Sequence, residues 1–173
     1  MEKRRLVTSS QRCDLLEILP ADEGVFLNIY QDPVMMAHLG GPLSTELAKE
    51  RFQKWLGIWS GSHIGPCVVR YRGQSETIAT VGIFPSEIEG ESVFEIGWSV
   101  LTAHQGKGIA FEAAKALDDY ATQQLGVKVL TAFPNVTNTA SNRICEKLGM
   151  RRVKTVQYPF GDTVLDMVYW RRG

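Results

Sequence analysis

The segment Gln105-Gly106-Lys107-Gly108-Ile109-Ala110 constrains this chain more than any other. It follows a strand-like run, 92–100, and opens a long helical pattern running from about Gly108 to Leu125, with Ala113, Leu117, Ala121 and Leu125 on one face and Tyr120 beside it. Two glycines let the main chain turn tightly and approach a ligand closely. The first amides of a helix lack an internal acceptor and sit at the positive end of its dipole. A diphosphate satisfies both needs. Any fold for this chain must therefore deliver a strand end to a helix start with its nitrogens uncovered.

Two familiar phosphate loops fail at the residues that bind. A dinucleotide loop, G-x-G-x-x-G/A, fits Gly106 and Gly108 but meets Phe111 at its third small position. Its acidic residue after the next strand is missing, because that strand runs into Phe133-Pro134-Asn135. A Walker A loop needs a glycine where Leu101 stands.

The rest of the chain reads as one domain over residues 1–173, with no repeat or linker. A short first strand is expected at Arg5–Thr8 and a helix at Asp22–Tyr30. A second helix starts from Ser44, carries Ala48, Phe52, Trp55 and Trp59 on one side and ends at Gly61. Strands follow at Cys67–Tyr71, Ile78–Phe84 and Ser92–Val100, then the long helix, a β-branched run Val127–Phe133, and a helix capped by Asn138 with Ala140, Ile144 and Leu148 inward. Two last strands, Val153–Tyr158 and Val164–Trp170, flank the turn Pro159-Phe160-Gly161-Asp162. This order predicts a mixed α/β (α+β) fold: a central, twisted, largely antiparallel sheet of about six to seven strands with helices on both faces.

Charge narrows the partners. Nineteen basic and nineteen acidic residues cancel, so no net field draws the chain to nucleic acid or an anionic membrane. No stretch approaches the roughly 20 apolar residues of a membrane span, and no apolar run follows the basic start to make a signal peptide. Three scattered cysteines without a C-x-x-C pair give no metal site and fit reduced thiols in a cytoplasmic protein.

The loop, with Gln105, Gly108 and Ala110 in place, resembles the acetyl-CoA loop of the GCN5-related N-acetyltransferases, Gln/Arg-x-x-Gly-x-Gly/Ala. Phe94-Glu95-Ile96-Gly97-Trp98-Ser99-Val100 resembles that family's fourth strand. The segment from Asn135 through Asn138, Ser141, Lys147, Leu148 and Gly149 to Met150 resembles its N-x-x-N-x-x-S…K-L-G-F motif, with Met150 in place of the aromatic. The spacing is similar to the RimJ/RimL branch, which acetylates protein N-termini. The resemblance implies the family's fold and acetyl-CoA as co-substrate without a metal. Amides of Gly106, Lys107, Gly108, Ile109, Ala110 and Phe111 would hold the pyrophosphate. Backbone groups of Trp98, Ser99 and Val100 would pair with the pantetheine arm as an added strand, and Asn138 would touch it. The fourth and fifth strands would splay to admit the thioester. The acceptor is expected to be a primary amine, favoured as the α-amine of a protein or peptide, with a small amine such as a polyamine, antibiotic or amino-acid derivative as the alternative. A homodimer is one assembly this reading allows.

Amine attack on a thioester needs a free base amine, a base, an oxyanion donor and an acid for the departing thiolate. An α-amine, with a pKa of about 7.7–8.0, is partly neutral at pH 7, whereas a lysine amine is mostly charged. Glu95, on the strand that faces the cleft, is the first candidate for the base, against a plain solvent-facing carboxylate. Replacing it with Gln is expected to slow turnover mainly at low pH. The acid is open. The family's usual tyrosine position holds Cys145, which is either a donor or a small core thiol. Ser141 is the other candidate, against simple capping alongside Asn138. Trp55, Trp59 and Tyr158 are candidates to line the acceptor pocket, against ordinary core packing. Lys107 is equally a solvated loop residue. His38, His63 and His104 are expected in surface or turn roles, with His104 next to the loop. A catalytically silent CoA-binding module and a nucleotide-binding α/β protein are the rival readings.

Overall fold

The computed structural model describes residues 4–61, 64–160 and 162–173; His63 and Gly161, named above, lie outside them. Eight strands make one sheet: β1 (Leu6–Ser9), β2 (Cys13–Glu17), β3 (Pro66–Tyr71), β4 (Ala79–Ile88), β5 (Glu91–Val100), β6 (Leu130–Ala132), β7 (Arg151–Phe160) and β8 (Thr163–Arg172). Their order is β1-β2-β3-β4-β5-β6-β8-β7, and only the β5–β6 pair is parallel. The helices are α1 (Glu23–Gln31), α2 (Thr45–Gly61), α3 (Ile109–Leu125) and α4 (Thr139–Lys147), each close to its expected place.

The strand beyond the expected six or seven is β2. It has only five residues, Cys-Asp-Leu-Leu-Glu, too few to establish a period against its apolar neighbours. A tight turn, with Ser10 N–H on Cys13 O at 2.8 Å, folds it back along β1, and β3 fixes its register through Leu15 opposite Val69. Cys13 and Leu15 are thereby fully buried.

Alternation along the strands assigns the helices to faces. Cys67 and Val69 of β3 pack in the cluster that holds Ile109, Ala113, Leu117 and Ala121 of α3 and Cys145 of α4. Val68, between them, points the other way, to Phe26 of α1 and Phe52 of α2. In β4, Val81 and Ile83 join the α3 side. Phe84 meets the Trp55 ring of α2 at 4.7 Å between centroids. Glu95 lies directly opposite Phe84 on β5 and so shares the α2 face.

β5 and β6 touch at only two register pairs, Phe94 with Leu130 and Glu95 with Thr131. Beyond Thr131 the chain stays paired with β8 alone, Ala132 lying opposite Trp170. The Pro134 carbonyl takes the Val168 N–H at 2.8 Å, and Asn135 bridges to Met167, so the chain follows β8 away from β5.

Leu15→Ala should lower unfolding free energy by about 2–5 kcal/mol, read as a lower urea midpoint at unchanged slope. A loss under about 1 kcal/mol would place the first hairpin outside the cooperative core.

Candidate active site

The glycine loop has the geometry its sequence requires. After the 3₁₀ turn Thr102–His104, Gly106 and Gly108 both take left-handed φ, 72° and 77°, and Gly108 caps α3. The Glu112 N–H bonds Gly108 O at 3.1 Å. The amides of Ile109, Ala110 and Phe111 precede that first internal bond. A side-chain carbon placed on Gly106 meets nothing within 4 Å, so the space before the loop is open. The loop braces itself: Gln105 Nε2 donates to Val100 O at 3.0 Å and Lys107 Nζ to Ala103 O at 3.1 Å. Both side chains thus turn back on the loop. The Ile109 side chain is buried, and Phe111 is half-buried beneath the Lys147 ammonium.

Beside the loop, β5 offers a free edge. The Leu101 N–H bonds Ile78 O on the β4 side. In an antiparallel ladder the direction alternates, so Ser99 also faces β4, while Trp98 and Val100 turn N–H and C=O to the side β6 has vacated. Of the three residues expected to pair with pantetheine, Trp98 and Val100 present free-edge groups and Ser99 does not. The Val100 carbonyl already receives Gln105. An open-fronted loop, uncovered amides and a vacant strand edge together fit the diphosphate and amide-bearing arm of coenzyme A.

On the α2 face, below the parting, lies a cavity of about 530 Å³. Glu95, Ser86, Phe84, Tyr158, Phe133 and Met167 line it from the sheet; Arg51, Lys54, Trp55 and Ile58 line it from α2. Burial raises the Glu95 carboxyl from its ordinary 4.5 to about 7, and a hydrogen bond with Ser86 partly opposes the rise. Tyr158, 43% exposed, is also raised by burial; the Glu95 charge adds to the rise and Arg51 opposes it. Of the two tryptophans, Trp55 faces the cavity, with its indole N–H on the Tyr30 hydroxyl at 2.6 Å. Trp59 turns into the core and bonds Pro66 O.

The second motif meets β5 at its free edge. Asn138 caps α4, its Oδ1 accepting the Ser141 N–H at 3.1 Å. The Ser141 hydroxyl accepts the Trp98 indole N–H at 3.2 Å, which leaves its own proton for another acceptor. Cys145 is 0% exposed inside the core, and burial pushes its thiol up to about 12. His38 bonds Thr137 and His104 stacks edge-on against Tyr71, both in local packing roles.

Sequence reasoning missed Arg12. Its guanidinium donates to Lys107 O at 2.9 Å and pairs with Glu112 in the first turn of α3. Ser10 Oγ and the Arg12 N–H bond the same carboxylate, at 2.7 and 2.8 Å. The turn between β1 and β2 therefore clamps the glycine loop. One hundred residues separate the partners, and no local signal announces the contact.

Residues 12–151 match the family described as the acetyltransferase (GNAT) domain. The chain belongs to that family and is an acyl-CoA-dependent N-acetyltransferase. It is 29% identical over 161 residues, 90% of each chain, to the uncharacterized protein YkkB of Bacillus subtilis (strain 168). Its fold is similar to a solved acetyltransferase from Agrobacterium tumefaciens str. C58, with a TM-score of 0.81, 23% identity and coverage of 100% of this chain and 95% of that one. It is also similar to RimL, the ribosomal L7/L12 alpha-N-protein acetyltransferase solved with coenzyme A, with a TM-score of 0.79, 14% identity and 97% of both chains covered.

Gly108→Val should abolish acetyl-CoA binding. Gly73→Val is the control, because Gly73 has a similar φ of 74° in open surroundings far from the loop along the chain. Thermal shift with ligand at about 100 times its dissociation constant should show about 2.7 kcal/mol of stabilisation for wild type and for Gly73→Val, and none for Gly108→Val. Retained binding by Gly108→Val would refute the loop assignment.

Proposed function

We propose that the chain acetylates a primary amine by direct attack, with the α-amine of a protein or peptide as the favoured acceptor and Glu95 as its base. The observation that carries this is a buried carboxyl raised to about 7 in the wall of a cavity, at the point where β5 loses its neighbour. The likeness to RimL, an α-N-protein acetyltransferase by name, supports the acceptor.

Each step follows from the residues present. The loop amides from Gly106 to Phe111 and the free edge at Trp98 and Val100 hold the co-substrate, with the Asn138 amide nitrogen free to join them. Bound there, acetyl-CoA supplies an activated acyl carbonyl. Glu95 takes the proton that an amine must shed as it attacks, directly or through water; a base near pH 7 suits an α-amine of pKa about 7.7–8.0. An uncovered amide on the parted strand stabilises the negative charge that develops on the carbonyl oxygen. Ser141, oriented by the Trp98 indole, returns a proton to the leaving sulfur. Cys145 serves the core.

The raised pKa reverses the pH dependence expected from sequence. Below about pH 7 wild-type Glu95 is largely protonated and already resembles Gln. Glu95→Gln should therefore cut kcat/KM most above pH 7, by about a hundredfold or more, and converge on wild type toward pH 5. A uniform loss at all pH values would remove Glu95 as the base. Linkage gives an independent check. A carboxyl whose folded value is raised leaves stability intact below its unfolded value and lowers it as pH rises through about 7. Glu95→Gln should thus gain stability over wild type at pH 8 and little at pH 4, measured by urea unfolding.

Ser141→Ala should lower kcat with little change in unfolding midpoint. Cys145→Ala should lower the midpoint with little change in kcat. The reverse pattern, in thiol-release and urea assays, would restore Cys145 as the acid.

A further inference from the structure

The cavity holds a cation that the transfer chemistry does not use. Arg51 lies on α2, and Leu47, Lys54 and Ile58 repeat on the same side of that helix at helical spacing. Its guanidinium carbon lies over two rings, 5.3 Å from the Tyr30 centroid and 4.5 Å from the Phe160 centroid. Such ring contacts do not consume the guanidinium's N–H donors. Among the described residues Arg51 has neither an ion-pair partner nor a hydrogen-bond acceptor. Burial lowers its affinity for a proton, offset only by the two tyrosines Tyr30 and Tyr158. Glu50, the other carboxylate lining the cavity, is exposed and outside ion-pair distance. A half-buried guanidinium with free N–H donors is costly unless an anion meets it. Lys54, on the next turn, adds a second positive charge to the same wall.

The opposite pole is Glu95. Tyr158 lines the same cavity and is close enough to feel both groups. Apart from Ser86 beside Glu95, the remaining lining is apolar, with Trp55, Phe84, Phe133, Phe160, Leu39 and Ile58 prominent in it. A ligand matching these features has an amine at one end, an oxyanion at the other and an apolar body between.

We propose that the acceptor is an amine that also carries an oxyanion, a carboxylate or a phosphate, and that the guanidinium of Arg51 binds this oxyanion and so sets acceptor specificity. The proposal rests on the amine-acetylation reading above and names its substrate class. It disfavours polyamines.

The test is thiol release with matched acceptors: para-aminomethylbenzoate against benzylamine, O-phosphotyramine against tyramine, spermidine, and peptides differing only by Glu or Gln at the second position. Wild type should prefer the anionic member of at least one pair by about tenfold or more in kcat/KM. The pair that discriminates identifies a small carboxylate, a phosphate or an acidic peptide as the source. Arg51→Gln should erase that preference by lowering only the anionic member, and Arg51→Lys, which keeps the charge, should retain part of it. Thermal shift with acetyl-CoA, bound elsewhere, should be unchanged in both and reports folding. Equal use of anionic and neutral amines by wild type, or an equal loss of both on Arg51→Gln, overturns the proposal while leaving amine acetylation standing. Absence of thiol release with every amine, with acetyl-CoA still bound, overturns the transferase reading and this proposal with it.

Discussion

The parting of β5 from β6 after Glu95 and Thr131 is the feature on which the rest of the site depends. A ladder that continued would consume the amides and carbonyls of Trp98 and Val100 and close the entrance to the cavity. Past Thr131 the chain keeps to β8 instead, Ala132 opposite Trp170 and the Pro134 carbonyl on the Val168 N–H. The parting turns an interior strand into one with a vacant edge over half its length. Unpaired backbone in a protein interior is costly. That cost is recovered when an extended, amide-bearing ligand lies along the edge. The α4 helix keeps the wedge open from the other side, through the Trp98–Ser141 hydrogen bond.

A vacant edge would be of little use if the anionic end of the ligand were held loosely. The glycine loop is fixed from two directions. Gln105 ties it to the end of β5, and Arg12 ties Lys107 O and Glu112 to the first hairpin. Glu112 also places a carboxylate in the first turn of α3, where the dipole favours it, and Arg12 with Ser10 offsets the repulsion it would exert on a phosphate. The hairpin is thus both a sheet edge and a brace for the cofactor loop.

The elements legible in the sequence are those whose signal is local. The glycine pair, the α3 stripe, the Asn138 cap and the breaker Pro134 are each defined within a few residues, and the structure places them as read. What was not legible depends on distant partners. β2 takes its register from Val69, more than fifty residues away in sequence, so five residues could not declare it. The burial of Cys145 depends on α3 and β3, whose residues pack in the same cluster. Arg51 carries no local signal that sets it apart from other charges on α2. Tyr30 from α1 and Phe160 from β7, distant in sequence, are the rings over which it lies in the cavity wall.

These contacts give α2 two unlike faces, and the difference follows from what each meets. Phe52 packs with Phe26 of α1 and Val68 of β3 in a buried apolar cluster, where close packing decides the residue type. Leu47, Arg51, Lys54 and Ile58 face an open volume, where packing decides nothing and polarity is free to vary. A charge tolerated there without a protein partner must be compatible with whatever fills the cavity. The same reasoning applies to Glu95 across it, whose ionised form the surrounding burial disfavours. Two opposite groups, each penalised by desolvation and neither paired with the other, are what the proposed acceptor would meet at its two ends; a structural ion pair between them would have closed the space.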